Sequence, residues 1–273
     1  MHHPQRLLII FLIATTLTIY QSNSFASSIQ NNPLTTEKVE NILAKVTPKI
    51  KEELADKGFQ LGSSIFIRIF KLPAELEVWI NKNKHYELFK TYPICDFSGY
   101  PGPKLHEGDW QSPEGFYSVS ADKMNPRSNY HLSFNIGYPN EYDKLRNRSG
   151  SNIMVHGNCS SMGCFAMNNY RMEEIYTLAH VALTNGQQSF SVHVFPFRMT
   201  ADNMKKFQSS PWIGFWKNLK EGFDAFERTR QVPEIRVASG KYVVIDTARL
   251  ALRSDNKLNS TSFPAIPQNH QYK

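Results

Sequence analysis

Short stretches in which alternate side chains share a character constrain the fold of this chain most. Residues 65–70 alternate isoleucines with Phe66, Arg68 and Phe70, and residues 76–80 and 86–92 flank a polar turn at 81–84. A period of two residues is typical of a β-strand, so this region predicts a β-hairpin. Further strands are predicted at 115–119, 131–136, 152–155, 190–195 and 242–245. The predicted fold class is therefore mainly β with helical additions (α+β).

Apolar residues at helical spacing predict the helical additions. One or two helices cover about 36–57, where Pro48 interrupts the pattern, another runs from Met172 to about Leu183, and an aromatic-rich helix covers 212–226. The predicted organisation is a signal peptide, an N-terminal helical segment, a catalytic domain, a C-terminal extension with a helix and a strand, and a flexible tail: 1–26, 27–59, 60–200, 201–249 and 250–273.

The N-terminus carries the marks of an export signal. Arg6 precedes a 14-residue, mostly apolar run over 7–20, and small residues around 24–26 suit a cleavage site. The run is shorter than the roughly 20 residues that a membrane span needs. We therefore expect a signal peptide, no transmembrane span after its removal, and a periplasmic or secreted protein. An uncleaved membrane anchor is the alternative.

The formal net charge is +7, which suits an anionic partner in the cell envelope or serves solubility alone. The sequence has no nucleic-acid-binding motif, and an exported protein rarely meets nucleic acid. A nucleic-acid partner is therefore not predicted.

The odd number of cysteines points to a catalytic thiol. The chain has Cys95, Cys159 and Cys164, so at least one of them has no partner within the chain. His156 ends a predicted strand eight positions before Cys164 and could take its proton. Gly163 and Cys164 could offer backbone N–H groups to an oxyanion, and Ser160 and Ser161 could add a hydroxyl or close the turn.

Three other uses of these cysteines stay open. A zinc site could combine His156, Cys159 and Cys164 with His193. A Cys159–Cys164 disulfide would remove the nucleophile. A Cys95–Cys159 disulfide would instead leave Cys164 as the free thiol. No metal or other cofactor is part of the predicted site.

Several separate motifs then resemble one family. The His-Gly…Ser-x-Gly-Cys segment resembles the active-site signature of the L,D-transpeptidase (YkuD-like) catalytic domain, and its YafK-like branch in particular. Other segments that fit this branch, in order, are 92–95, 107–117, 130–139, 154–167 and 192–199. The resemblance covers roughly 60–245 and implies a β-sandwich or barrel catalytic domain.

The resemblance also implies a reaction. The family attacks the carbonyl of the third stem-peptide residue of peptidoglycan, usually meso-diaminopimelate, and passes through a cysteine thioester in cell wall biogenesis and the control of cell shape. Cys164 matches the nucleophile, His156 the base and Gly163 the oxyanion hole. Ser160, Ser161 and Met162 lie beside the nucleophile, where they would contact the substrate.

Two departures from the family pattern bear on the acceptor. Met162 stands where most members have histidine, and the stretch between His-Gly and Gly-Cys is short. These departures favour hydrolysis of a cross-link or of a bond that tethers a lipoprotein to diaminopimelate. Cross-link formation by an L,D-transpeptidase is the alternative. A binding module without catalysis is the alternative of another class.

Two residues outside the cysteine segment are also candidates for substrate binding. Arg198 could pair with a substrate carboxylate, or else form a structural salt bridge. His131 could line the cleft, or else be a hydrogen-bonded structural histidine.

Overall fold

The computed structural model describes residues 34–245, which form two five-stranded sheets, a small hairpin and surrounding helices. The predicted signal peptide at 1–26 and the whole of the predicted tail at 250–273 lie outside the described residues. Within residues 34–245, none of the helices is both long and apolar enough to cross a membrane.

The first sheet contains the long strands and has the order β3-β2-β1-β10-β5. Its strands are β1 (Ile65–Leu72), β2 (Glu75–Lys82), β3 (His85–Pro93), β5 (Gly115–Ser120) and β10 (Ser189–Phe197). β1 pairs antiparallel with β2 and parallel with β10, and β10 pairs antiparallel with β5. The hairpin predicted from the alternating pattern is confirmed.

Helices bury both faces of this sheet. Ile65, Ile67 and Ile69 share the main core with α1 (Glu37–Asp56) and α3 (Asn169–Thr184). Phe70 points the other way and packs with α5 (Ile213–Thr229). A strand that is covered on both faces is apolar at nearly every position, as β1 is.

α1 is a single helix rather than two. The hydroxyl of Thr36 accepts the N–H of Val39 at 3.2 Å and caps its N-terminus. The helix continues through Pro48, and its apolar stripe is buried, namely Val39, Ile42, Val46, Ile50 and Leu54.

The second sheet consists of strands two or three residues long, in the order β4-β9-β8-β7-β6. These are β4 (Asp96–Phe97), β6 (Met124–Asn125), β7 (Ser133–Asn135), β8 (Met154–His156) and β9 (Phe165–Ala166). The strand predicted at 131–136 shortens to β7, and the one predicted at 152–155 corresponds to β8, which begins two residues later and ends one residue later.

The remaining elements surround these sheets. α2 (Glu141–Lys144) and α4 (Ala201–Lys206) are short, and β11 (Glu234–Ala238) pairs with β12 (Lys241–Ile245). The sequence predicted β12 but not β11.

Candidate active site

The second sheet brings His156 and Cys164 to one pair of strands. His156 is the last residue of β8, and Cys164 directly precedes β9. Val155 pairs with Phe165 in the parallel β8–β9 ladder, and both side chains lie in the core. Side chains alternate along a strand, so His156 faces away from that side, and the same alternation extended by one residue predicts this side for Cys164.

Cys164 is a free thiol in a partly buried position. Its Sγ accepts the N–H of Met154 at 3.3 Å and contacts the carbonyl oxygen of Asn152 at 3.5 Å. Burial raises the pKa of the Cys164 thiol, and the Met154 N–H and the Lys104 ammonium only partly oppose this. The resting thiol is therefore protonated at neutral pH and needs a base before it can attack.

His156 is a buried, neutral imidazole. Its Nδ1 lies 2.5 Å from the carbonyl oxygen of Gly157. A carbonyl oxygen can only accept, so Nδ1 carries the proton and the lone pair lies on Nε2. Burial lowers the pKa of His156, and the Gly157 bond and the Asp96 carboxylate oppose this. A neutral imidazole with a free Nε2 is suited to accept a proton.

The surroundings of His156 leave little space. The ring of Tyr130 packs on the imidazole with 4.8 Å between ring centroids. A Cβ at Gly157 would lie 2.8 Å from the carbonyl oxygen of Tyr130, so only glycine fits there. In residues 34–245, the hydrogen bonds of His156 and of the Cys164 thiol go to backbone atoms and not to each other. Such pairs often tighten only when substrate binds.

A disulfide holds the loop between these two residues. Cys95 and Cys159 are bonded, with their Cα atoms 5.4 Å apart. The bridge joins the residue before β4 to the loop between His156 and Cys164, and the backbone N–H of Cys95 also donates to the carbonyl oxygen of Ala166 at 2.8 Å. The Cys159–Cys164 alternative is therefore wrong. The bridge also takes Cys159 out of the zinc alternative.

The residues next to Cys164 mainly hold its loop. Gly163 has φ +119, and its N–H donates to the hydroxyl of Ser98 at 2.9 Å. The Ser161 hydroxyl donates to the carbonyl oxygen of Cys164 at 2.8 Å, which corresponds to the turn-closing alternative for this residue. Ser160 and Met162 are exposed, and Met162 has 67% of its surface free.

The two more distant candidates are held in ion pairs. Arg198 donates to Glu77 and Glu75 of the first sheet, at 2.6 Å each, and stacks on Phe70. This is the structural salt bridge that the sequence left open, and it does not bring Arg198 to the Cys164 loop. His131 Nε2 lies 2.9 Å from Glu173 of α3, while its Cβ borders the space beside Gly157.

The sequence missed several residues that shape this site. Asp96 accepts the N–H of Ser161 at 2.8 Å, Ser98 accepts that of Gly163, and Ser112 donates to the carbonyl oxygen of Cys164 at 3.2 Å. Tyr130 packs on His156, and the Lys104 charge favours the Cys164 thiolate. The only sequence signal for Asp96 was its position directly after Cys95.

Comparison with known proteins identifies the family. The model of the YkuD L,D-transpeptidase catalytic domain matches residues 71–194. YafK of Escherichia coli strain K12 is 43% identical over 201 residues, which cover 74% of this chain and 80% of YafK, and the same values hold for YafK of strain O157:H7.

Two solved structures are more distant neighbours. A point mutant of the helical cell shape determining protein Pgp2 from Campylobacter jejuni has a TM-score of 0.41 and 20% identity, over 64% of this chain and 62% of that one. Bd1075 of Bdellovibrio bacteriovorus has a TM-score of 0.35 and 20% identity, over 60% of this chain and 58% of that one. The extent and identity of the match to YafK show that the chain belongs to the L,D-transpeptidase (YkuD) family.

Proposed function

We propose that this protein is an exported cysteine enzyme that hydrolyses an amide bond at the diaminopimelate carbonyl of a peptidoglycan stem peptide. One observation supports this most. A free thiol directly before β9 and a neutral imidazole with an unprotonated Nε2 at the end of β8 belong to one parallel strand pair. Family membership supports peptidoglycan as the substrate class. The bond between a lipoprotein amine and diaminopimelate is the proposed target, with a peptide cross-link as the other member of that class.

The first half of the reaction forms a thioester. Nε2 of His156 takes the Cys164 proton as Sγ attacks the carbonyl carbon, and negative charge develops on the carbonyl oxygen. The backbone N–H groups of Gly163 and Cys164 stabilise that oxyanion. The Gly163 N–H donates to Ser98 at rest, so it must share or exchange that bond. The imidazolium then protonates the leaving nitrogen, and the carbon–nitrogen bond breaks.

The second half hydrolyses the thioester. Nε2 takes a proton from water as its oxygen attacks the carbonyl carbon, and the carbon–sulfur bond breaks. The imidazolium returns its proton to the sulfur. The net reaction consumes one water and yields a carboxyl group and an amine.

Water is a better match than an amine for this site. An amine acceptor is protonated at neutral pH and must lose a proton before it attacks. Met162 occupies the place where most family members have a histidine, and a thioether cannot accept that proton at neutral pH. The remaining base, His156, suffices for water.

Mass spectrometry of muropeptides from treated sacculi tests the proposal. We expect wild-type protein to remove lipoprotein remnants or cross-links, and Cys164→Ala to remove none. His85→Ala is the control, because His85 is an exposed histidine of the β2–β3 hairpin. New cross-links would indicate transpeptidation, and undiminished cleavage by Cys164→Ala would exclude the cysteine mechanism.

A further inference from the structure

Trp110 is an exposed tryptophan on a strained backbone. Its φ is +54 and 62% of its surface is free. A bulky residue in the left-handed region is an outlier that persists only where the surroundings enforce it, commonly at functional sites. The Asp109 carboxylate enforces it here, accepting the N–H groups of Leu105, His106 and Gln111 at 2.8, 3.0 and 3.1 Å.

Tyr100 is fixed to the same loop and is more exposed still, at 83%. The side-chain amide of Gln111 accepts the Tyr100 N–H at 3.2 Å and donates to the Tyr100 carbonyl oxygen at 2.6 Å. The backbone that carries both rings is therefore held by hydrogen bonds, although the rings themselves are in solvent.

The loop that carries these two rings packs against the loop of Cys164. The Gln111 carbonyl oxygen lies 3.8 Å from where a Cβ at Gly163 would be, and the Ser112 hydroxyl donates to the Cys164 carbonyl oxygen. Tyr130 is 45% exposed and packs on His156. We call Tyr100, Trp110 and Tyr130, three exposed aromatic residues on segments that contact the Cys164 loop or His156, the aromatic rim.

The chemistry of the rim distinguishes among the parts of the substrate. Exposed aromatic surface beside a reactive group is typical of ligand contact. Flat aromatic faces pack on the C–H faces of pyranose rings, while the phenol and indole edges keep their polar atoms in water. A stem peptide is rich in carboxylates, which charged side chains recognise better than rings do.

We propose that the aromatic rim binds the N-acetylhexosamine glycan strand from which the stem peptide projects. This inference rests on the proposed function, because it assumes that peptidoglycan is the substrate. It adds a saccharide site beside the nucleophile, so that binding of the strand positions the peptide carbonyl at Cys164.

Co-sedimentation with peptide-free glycan tests the inference without catalysis. Cys164→Ala protein is mixed with sacculi stripped of their stem peptides by an amidase, and bound protein is measured over a range of concentrations. We expect binding, and a loss of roughly tenfold in affinity when Tyr100→Ala and Trp110→Ala are added, because each ring stack contributes modestly. The conservative pair Tyr100→Phe and Trp110→Phe should restore most of the affinity.

Leu145→Ala in the same background is the matched control. Leu145 is 61% exposed, so this substitution removes exposed apolar surface outside the aromatic rim. An N-acetylglucosamine tetramer should compete for the site. Equal binding with and without the two rim aromatics, or binding only to sacculi that keep their peptides, would overturn the inference. Hydrolysis of a glycan-free stem peptide by wild-type protein tests the proposed function separately.

Discussion

The two sheets are stabilised in different ways. The first sheet has strands of six to nine residues, and helices α1, α3 and α5 cover both faces of its central strands, while the edge strand β3 is mostly exposed. Its charged residues are paired inside it, as with Arg68, which donates to Glu77 at 2.9 Å and lies 4.7 Å over the ring of Trp79. Its stability comes from packing.

The second sheet has strands of two or three residues and depends on individual bonds. The Cys95–Cys159 bridge and the hydroxyls of Ser98, Ser112 and Ser161 hold the loop that carries Cys164. Five residues other than glycine in or beside this loop have positive φ, namely Trp110, His131, Asn152, Asn158 and Asn168. Strained backbone is tolerated where it positions a reactive group and where other regions supply the stability.

The largest expected difference between the sheets is the effect on kcat/KM of replacing one histidine in each. We expect His156→Ala to lower kcat/KM by about 100- to 10,000-fold, because a positioned base contributes that much. His193→Phe should leave kcat/KM near the wild-type value, because His193 packs against Phe66 and Phe116 on the first sheet. A steady-state assay on soluble muropeptides measures both, and similar losses would show that the catalytic role is not confined to the second sheet.

Removal of the disulfide tests how the second sheet is held. The double variant Cys95→Ser and Cys159→Ser should lose about 4 kcal/mol of unfolding free energy, because the bridge closes a loop of 64 residues. Urea unfolding, with wild-type protein in reducing buffer as the comparison, gives this value. A loss below about 1 kcal/mol would mean that packing, as in the first sheet, also holds the second.

The acid stability of the first sheet should depend on His193. Burial, with a contribution from the Arg68 charge, lowers the pKa of His193 to about 3. Below about pH 6.5 the unfolded chain binds a proton there and the folded chain does not, so stability falls by about 1.4 kcal/mol per pH unit down to about pH 3. His193→Phe should remove that part of the slope, and an unchanged slope would show that His193 is not buried neutral.

The sequence predicted the first sheet well because long strands display their period. The alternation at 65–70 and the hairpin that follows appear in the structure almost residue for residue. The second sheet could be predicted only in part, because a strand of two residues such as β9 has no period. β11 was missed as well, because its residues are exposed or only half-buried.

The candidate site could likewise be predicted only in part. His156 and Cys164 were identified from a local motif, but the partners of their loop are remote in sequence. Ser98 and Asp96 each lie 65 residues from the amides that they accept. The sequence likewise left open whether Arg198 binds a carboxylate of the substrate or of the protein itself, because its partner Glu77 is 121 residues away.

The smallest predicted effect tests whether the Ser98 hydroxyl positions the Cys164 loop or only adds to the stability of the protein. Ser98→Ala removes the nearer acceptor of the Gly163 N–H, which also reaches the Ser161 hydroxyl at 3.3 Å, and should cost about 1 kcal/mol of unfolding free energy. Ser210→Ala removes a similar acceptor, which bonds the Trp212 N–H at 3.2 Å on the α5 side, and should cost about the same. Only Ser98→Ala should also lower kcat, because it frees the loop beside Cys164. Urea unfolding and kcat are measured for both variants. An equal kcat in the two would mean that the Ser98 hydroxyl stabilises the loop without positioning Cys164.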